Sequence, residues 1–252
     1  MKFFLPDNIF AALFKSTLPA DFETVYKPST LIVKELEKNT QAIALIPSLE
    51  LLNNKDLLVS KKFGISFGGI LSNSYLYFVE GQRDFDKVFV RGDVSKNEIL
   101  LSKILFEEMY SSNAELVLDT SDNLSKWNNY LICGKENFVD QKHISGVSLA
   151  DEIFEMLGHP YVNYIVVSKD RESLSNFERS IPTKLREVIA EYLPKFMNEL
   201  NISDLEKEFL TANFGTVYFD MTENEEDGLN ELIKLMYYHG IIDDMFDIKL
   251  LK

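Results

Sequence analysis

The sequence predicts a mixed α/β protein of two lobes, and three observations point to it. Strand-like runs and helix-like segments alternate along most of the chain, the pattern of an α/β architecture with largely parallel strands. Residues 42–46 are almost wholly apolar, as a strand covered on both faces would be. Two long strand-like runs, at 74–79 and 161–168, divide the chain into three parts. The middle part reads as a self-contained unit and the flanks as one discontinuous lobe. The expected lobes are therefore residues 1–73 with 171–252, and residues 74–170. Two chain crossings between them would make a hinge and an interlobe cleft.

Each element follows from a local signal. Residues 2–5 read as a short strand and 8–14 as a helix, with Asp7 or Asn8 available as its cap. A second strand is expected at 24–26. Pro28-Ser29-Thr30 then opens a helix through Lys38, whose wet side carries Lys34, Glu35 and Lys38. The strand at 42–46 stops at Pro47-Ser48, and a helix-like Leu49-Glu50-Leu51-Leu52 follows. That stop has two readings: an ordinary strand-to-helix turn, or a ligand site at the carboxyl end of a sheet, where open α/β folds place them. After Lys61 come Gly64, Gly68 and Gly69, and then the strand at 74–79. A strand at 88–90 precedes a helix on which Ile99, Leu100, Ile104 and Leu105 recur at helical spacing. Further strands are expected at 115–118 and 130–133. An amphipathic helix at 149–157 ends at Gly158, as at a C′ glycine. After the strand at 161–168 the chain turns helical, at 173–177, 182–198, 203–211 and 225–239, closed by Gly240. There is no internal repeat or low-complexity segment.

Composition narrows the function. The chain has 252 residues, 46% hydrophobic and 26% charged, enough for a sizeable core. A net charge of -14 and the lack of a dense Lys/Arg cluster make nucleic acid a poor partner. The lone Cys133 cannot form an internal disulfide. The apolar N-terminal stretch is broken by Pro6, Asp7, Asn8 and Lys15, too early for the core of a secretion signal. These features lead to the expectation of a cytoplasmic protein. No run approaches the roughly 20 apolar residues of a membrane span.

Several short texts, taken in order, resemble the chorismate dehydratase family of the futalosine route to menaquinone. Residues 26–51, "YKPSTLIVKELEKNTQAIALIPSLEL", are similar to that family's stretch ending Ala-Leu-Ile-Pro-Ser-x-Glu. "SNSYLYF" looks like its hinge strand, and "GDVSKNEILLSKIL" like its Thr-Ser-rich turn and following helix. "YLICGKENF", "SLADEIFEMLGHPYVNYIVVSK" and "YFDMTENEEDGLNELIKLMYYHGII" resemble later segments in family order. The resemblance implies a type II periplasmic-binding-protein fold closing over a small anion. It also implies conversion of chorismate to 3-[(1-carboxyvinyl)oxy]benzoate, with no metal or organic cofactor. Asn8 stands as the counterpart of the catalytic asparagine. Departures are clear: Gly134-Lys135 replaces Gly-Asp, Asp93-Val94-Ser95-Lys96-Asn97 replaces Thr-Ser-Ser-Arg-Thr, and Leu149-Ala150-Asp151-Glu152-Ile153 replaces Leu-Gly-x-x-Trp. They motivate an alternative, a divergent non-catalytic solute-binding or sensor protein for a small carboxylate.

A pocket for chorismate, with two carboxylates and a hydroxyl, needs clustered donors. Ser48, Ser74 and Ser95 lie at strand ends or helix starts, where a hydroxyl joins backbone N–H groups around an anion. Asn97 would add a neutral amide, and Gly134, at the glycine of the family's Gly-Asp, is a further candidate substrate-binding position. The competing reading of the serines is helix capping, which Ser95-x-x-Glu98 illustrates. Both uses draw on the same helix end. Asn8 is likewise open between catalysis and capping. As a catalyst, its amide would orient the leaving hydroxyl while the substrate's own carboxylate took the proton. Glu50 suits a first helical turn. His143, His159 and His239 lack metal spacing, Cys133 reads as a small core residue, and the glycines at 64–69 lack the Gly-Lys-Ser/Thr of a phosphate loop.

Overall fold

The computed structural model describes residues 1–82, 85–182 and 184–251. In chain order the first stretch holds β1 (Lys2–Leu5), α1 (Ile9–Lys15) and β2 (Glu23–Tyr26). A 3-10 turn, Ser29–Leu31, leads into α2 (Ile32–Lys38), followed by β3 (Ile43–Pro47), a 3-10 turn Ser48–Leu52 and β4 (Leu58–Phe67). The middle stretch holds β5 (Ser74–Tyr77), β6 (Lys87–Gly92), α3 (Lys96–Tyr110), β7 (Glu115–Leu118) and β8 (Asn129–Cys133). Two 3-10 turns, Lys135–Phe138 and Lys142–Ser145, precede β9 (Val147–Ser148) and α4 (Leu149–Leu157). The last stretch holds β10 (Tyr161–Ser168), α5 (Arg171–Ser180), α6 (Leu185–Glu199), α7 (Asp204–Asn213), β11 (Val217–Asp220) and α8 (Glu223–Tyr238). Thr183, inside the helix expected at 182–198, lies outside the described residues.

Two sheets form the lobes. One has six strands in the order β11-β4-β10-β3-β1-β2, the other five in the order β7-β6-β8-β5-β9. The strand at 161–168, expected in the second lobe, belongs to the first. It pairs with β3 on one side and β4 on the other. Its residues are buried throughout, which only a central position between two strands and two helical layers provides. The chain thus crosses to the second sheet through residues 68–73 and returns through α4 and residues 158–160.

The strands are also less parallel than expected. β2-β1-β3 and β7-β6-β8 run parallel. β10, β4, β11, β5 and β9 pair antiparallel. Strands that enter or leave at the hinge run back along their neighbours, so they need no crossover helix.

β4 carries no strand signature in the sequence because its middle breaks alternation: Lys61 and Lys62 are both exposed, and Gly64 follows. An irregularity in the pairing of β4 with β10 absorbs the extra residues. There the Ser60 hydroxyl and the Lys61 N–H both donate to the Glu178 carboxylate of α5.

Aromatic packing fills the first lobe. Phe177 of α5 lies 5.4 Å from Phe3 and 6.0 Å from Phe63, clamping α5 across β1 and β4. Phe10 of α1 meets Phe67 edge-on at 4.8 Å. Among the described residues, no helix is long and apolar enough to cross a membrane.

The second lobe also rests on a C-terminal helix. The Gln141 N–H donates to Glu206 of α7 at 2.7 Å, and the buried His143 ring lies 4.2 Å from Phe209. Among the described residues, His143 Nδ1 has no partner. Burial holds the imidazole pKa below its ordinary 6.5, against the opposing pull of the Glu206 charge. The folded state therefore favours the neutral ring. Its contribution to stability is present above the unfolded pKa and is lost as pH falls through the lower folded value. The melting temperature of the wild type is expected to drop more steeply than that of His143→Phe between about pH 7 and about pH 5. Equal slopes in the two pH series would refute this.

Candidate functional site

Where the lobes meet, neutral polar side chains from both sheets form one buried layer. Its centre is Asn97, on the first turn of α3 in the second lobe and fully buried. Its Oδ1 accepts from the Leu49 N–H at 2.9 Å. Its Nδ2 faces four acceptors of the first lobe: Ser48 Oγ at 3.1 Å, Tyr161 Oη at 3.1 Å, the Asn163 carbonyl at 2.9 Å and Asn163 Oδ1 at 3.1 Å. Two protons are shared among four oxygens, so the amide is saturated by protein.

Asn8 caps α1, where its Oδ1 accepts from the Ala11 N–H at 2.8 Å. Its Nδ2 donates to the Tyr164 hydroxyl at 3.2 Å, which Asn73 Nδ2 also reaches at 3.3 Å. Capping and an interlobe position thus coexist in one residue. Gly134 is buried at a φ of +91°, a conformation that L side chains rarely adopt. Its N–H donates to the Asn73 carbonyl at 2.7 Å, tying the end of β8 to the hinge.

Ser95 and Ser74 surround Glu98. Ser95 and Glu98 form a reciprocal capping box at the start of α3, with the Ser95 N–H at 2.9 Å from Glu98 Oε2. The Ser74 hydroxyl donates to Oε1 at 3.1 Å. Glu98 is completely buried, and this pushes its carboxyl pKa up against the downward pull of the Ser95 and Ser74 hydrogen bonds. Burial and then the Glu98 charge push the Tyr161 and Tyr164 phenols and the Cys133 thiol well above their ordinary values. Cys133 is therefore a protonated core residue, unsuited to nucleophilic attack.

The structure brings Ser48 and Asn97 into direct contact and places Ser74 and Ser95 on a common partner. Asn8 lies in the same layer on the Tyr164 side, and Gly134 supports it from the hinge. Sequence reasoning missed Asn73, Tyr161, Asn163, Tyr164 and the acid Glu98. One signal was present: Asn163 interrupts the otherwise apolar "YVNYIVV", and a buried amide in such a strand needs partners.

At the mouth of this layer the lobes touch through charged groups. Asp93, half-buried after β6, accepts from the Ser29 N–H at 2.9 and 3.2 Å and from the Ser29 hydroxyl at 2.7 Å. Lys135 meets Asp7 at 2.6 Å, and Lys96 meets Glu50 at 3.3 Å. A cavity of about 510 Å³ opens here, lined by Asp7, Tyr26, Lys27, Pro28, Gly92 and Asp93. Among the described residues, no group of His, Cys, Asp and Glu is arranged to hold a metal ion.

No protein-family model matches the sequence, and no curated protein does. Solved structures do match. Protein AF1704 from Archaeoglobus fulgidus is 18% identical with a TM-score of 0.61, over 96% of this chain and 98% of that one. The alkanesulfonate-binding protein SsuA from Xanthomonas axonopodis pv. citri, bound to MOPS, is 10% identical with a TM-score of 0.67, over 99% and 97%. The CA3427 gene product of Candida albicans, described as having the generic periplasmic binding protein fold, is 10% identical with a TM-score of 0.56, over 99% and 92%. Two sheets, two crossings and a polar seam between them agree with that likeness: the chain has the periplasmic-binding-protein fold.

Proposed function

We propose that this chain is a ligand-clamping protein of the solute-binding type, whose lobes close over a small organic carboxylate. The observation that carries the reading is the buried interlobe layer, where Asn97 of the second lobe meets Ser48 and Asn163 of the first, with the Asn8–Tyr164 pair of the first lobe beside them. With the lobes together these groups satisfy one another; parting the lobes would turn the same neutral donors and acceptors toward a small polar ligand. The sulfonate-binding neighbour with bound MOPS supports an organic anion as the guest. Charge narrows the class further. Glu98 is buried in the layer, Asp93 borders it, and no Lys or Arg is buried among the described residues. Two like charges about 4 Å apart repel by about 4 kcal/mol at an effective dielectric near 20. A monoanion or a partly neutral acid therefore suits the seam better than a dianion.

The second reading is a chorismate dehydratase-like lyase acting on chorismate in menaquinone biosynthesis. Asn8 favours it: its amide N–H group faces the interlobe layer while its oxygen is held by the helix cap. Such an amide can orient a leaving hydroxyl without changing charge, and the proton can pass to the substrate's own carboxylate.

Incubation with chorismate, followed by mass spectrometry for loss of water and calorimetry for binding, separates the two. The clamping reading expects a small monocarboxylate to bind without reaction. The lyase reading expects water loss in the wild type and none in Asn8→Ser, which keeps a capping oxygen and removes the amide. Absence of binding across a panel of small carboxylates would overturn both.

A further inference from the structure

We infer that Asp93 is an internal stand-in for the ligand's carboxylate, latching the lobes shut until a ligand exchanges with it. The inference rests on the reading of the cleft as a carboxylate site and names the group that holds its mouth. Asp93 belongs to the second lobe and Ser29 to the first, yet both carboxylate oxygens take hydrogen bonds from Ser29, through its amide at 2.9 and 3.2 Å and its hydroxyl at 2.7 Å. A free carboxylate would satisfy the same two donors in the same way. Ser29 is fully buried, so water does not compete for those donors in the closed state.

Two further observations place this contact on an entry route. Asp93 forms part of the wall of the 510 Å³ cavity at the seam, a volume within the range of small-molecule sites. The chain before it is also fixed in direction. Gly92 has a φ of +90°, and a Cβ there would stand 2.0 Å from the Cys133 carbonyl oxygen. The chain can turn toward the first lobe only with glycine at that position. Nearby, Lys135 on Asp7 closes the same mouth at 2.6 Å.

The physical consequence is competition by tethering. A carboxylate attached to the opposite lobe acts at an effective concentration of roughly millimolar or more. A simple carboxylate cannot displace it at low concentration. A true ligand must add contacts of its own, and this makes the latch a filter for ligands larger than a bare acid group.

The test uses the full chain with Asp93→Ala, Asp93→Asn and the double variant Ser29→Ala/Asp93→Ala. Radius of gyration by small-angle X-ray scattering reads lobe closure, and acetate is the probe. Asp93→Ala is expected to be more open than the wild type in plain buffer and to regain the compact value on adding acetate. Its apparent affinity for acetate should exceed that of the wild type by about tenfold or more. The double variant should lose the acetate response. Asp93→Asn, which keeps the side-chain shape, should be intermediate and shows that the protein still folds. An Asp93→Ala protein as compact as the wild type, or one that opens and ignores acetate, overturns the proposal. A panel of larger carboxylates, chorismate included, that leaves the wild type unbound would instead remove the proposed function, while acetate closure of Asp93→Ala and its loss in the double variant would leave the latch standing.

Discussion

Replacing Asn97 by alanine is expected to loosen the seam between the lobes and to cost about 2–4 kcal/mol of stability. The amide is fully buried and serves both lobes at once. Without it the Leu49 N–H loses its acceptor, while Ser48, Tyr161 and Asn163 lose a donor inside a layer that water does not reach. The cost is dominated by these orphaned groups, because removing one partner of a buried hydrogen bond leaves the other desolvated. Asn97→Asp is expected to be worse, since it replaces the donor with an acid one residue from the buried Glu98. Urea unfolding followed by tyrosine fluorescence measures the loss as a shift in midpoint. A shift within about 0.5 kcal/mol of the wild type, the range of ordinary surface substitutions, would place Asn97 outside the structural seam.

Glu98→Gln should stabilise the protein at neutral and alkaline pH, a result opposite to that expected for most buried polar changes. Glu98 accepts from the Ser95 N–H, the Ser95 hydroxyl and the Ser74 hydroxyl, with no cation against it in the described structure. Burial raises its pKa above the ordinary 4.5, the largest of its causes. Folding thus shifts the carboxyl toward its protonated form relative to the unfolded chain. That preference contributes stability that is fully present below the unfolded pKa and is lost as pH rises through the higher folded value. Glutamine keeps an acceptor for Ser95 and offers its amide N–H to Ser74 Oγ, and it carries no charge to desolvate. The difference in melting temperature between Glu98→Gln and the wild type should therefore grow as pH rises above about 4.5. A difference that stays flat with pH would show the carboxylate to be adequately compensated. Glu98→Ala, by contrast, removes the capping box of α3 and orphans the Ser95 N–H, at a cost of about 2–4 kcal/mol.

These two residues explain why part of the site was legible and part was not. Ser48, Ser95 and Asn97 could be singled out because helix starts and strand ends leave a local signature. That signature does not say which lobe supplies the partner. Ser95-x-x-Glu98 reads in the sequence as a capping box and is one. What no sequence pattern contains is that this box lies in the dry layer between two sheets, where its carboxylate becomes a buried charge. The same holds for Asp93, which reads as a turn residue of "RGDVS" and turns out to hold Ser29 from 64 residues away.

The fold divides in a similar way. Alternating strands and helices, the polar break at Pro47-Ser48 and the αL glycine after α4 follow from backbone sterics and hydrophobic periodicity. These depend on neighbours a few positions apart, and the amino-acid order by itself determined them. The assignment of β10 to the first sheet, the antiparallel direction of β4 and the closure of the seam were decided only in the tertiary structure. They depend on which distant strand offers the better-buried edge and on which donors find acceptors across the cleft, a competition between contacts far apart in the chain.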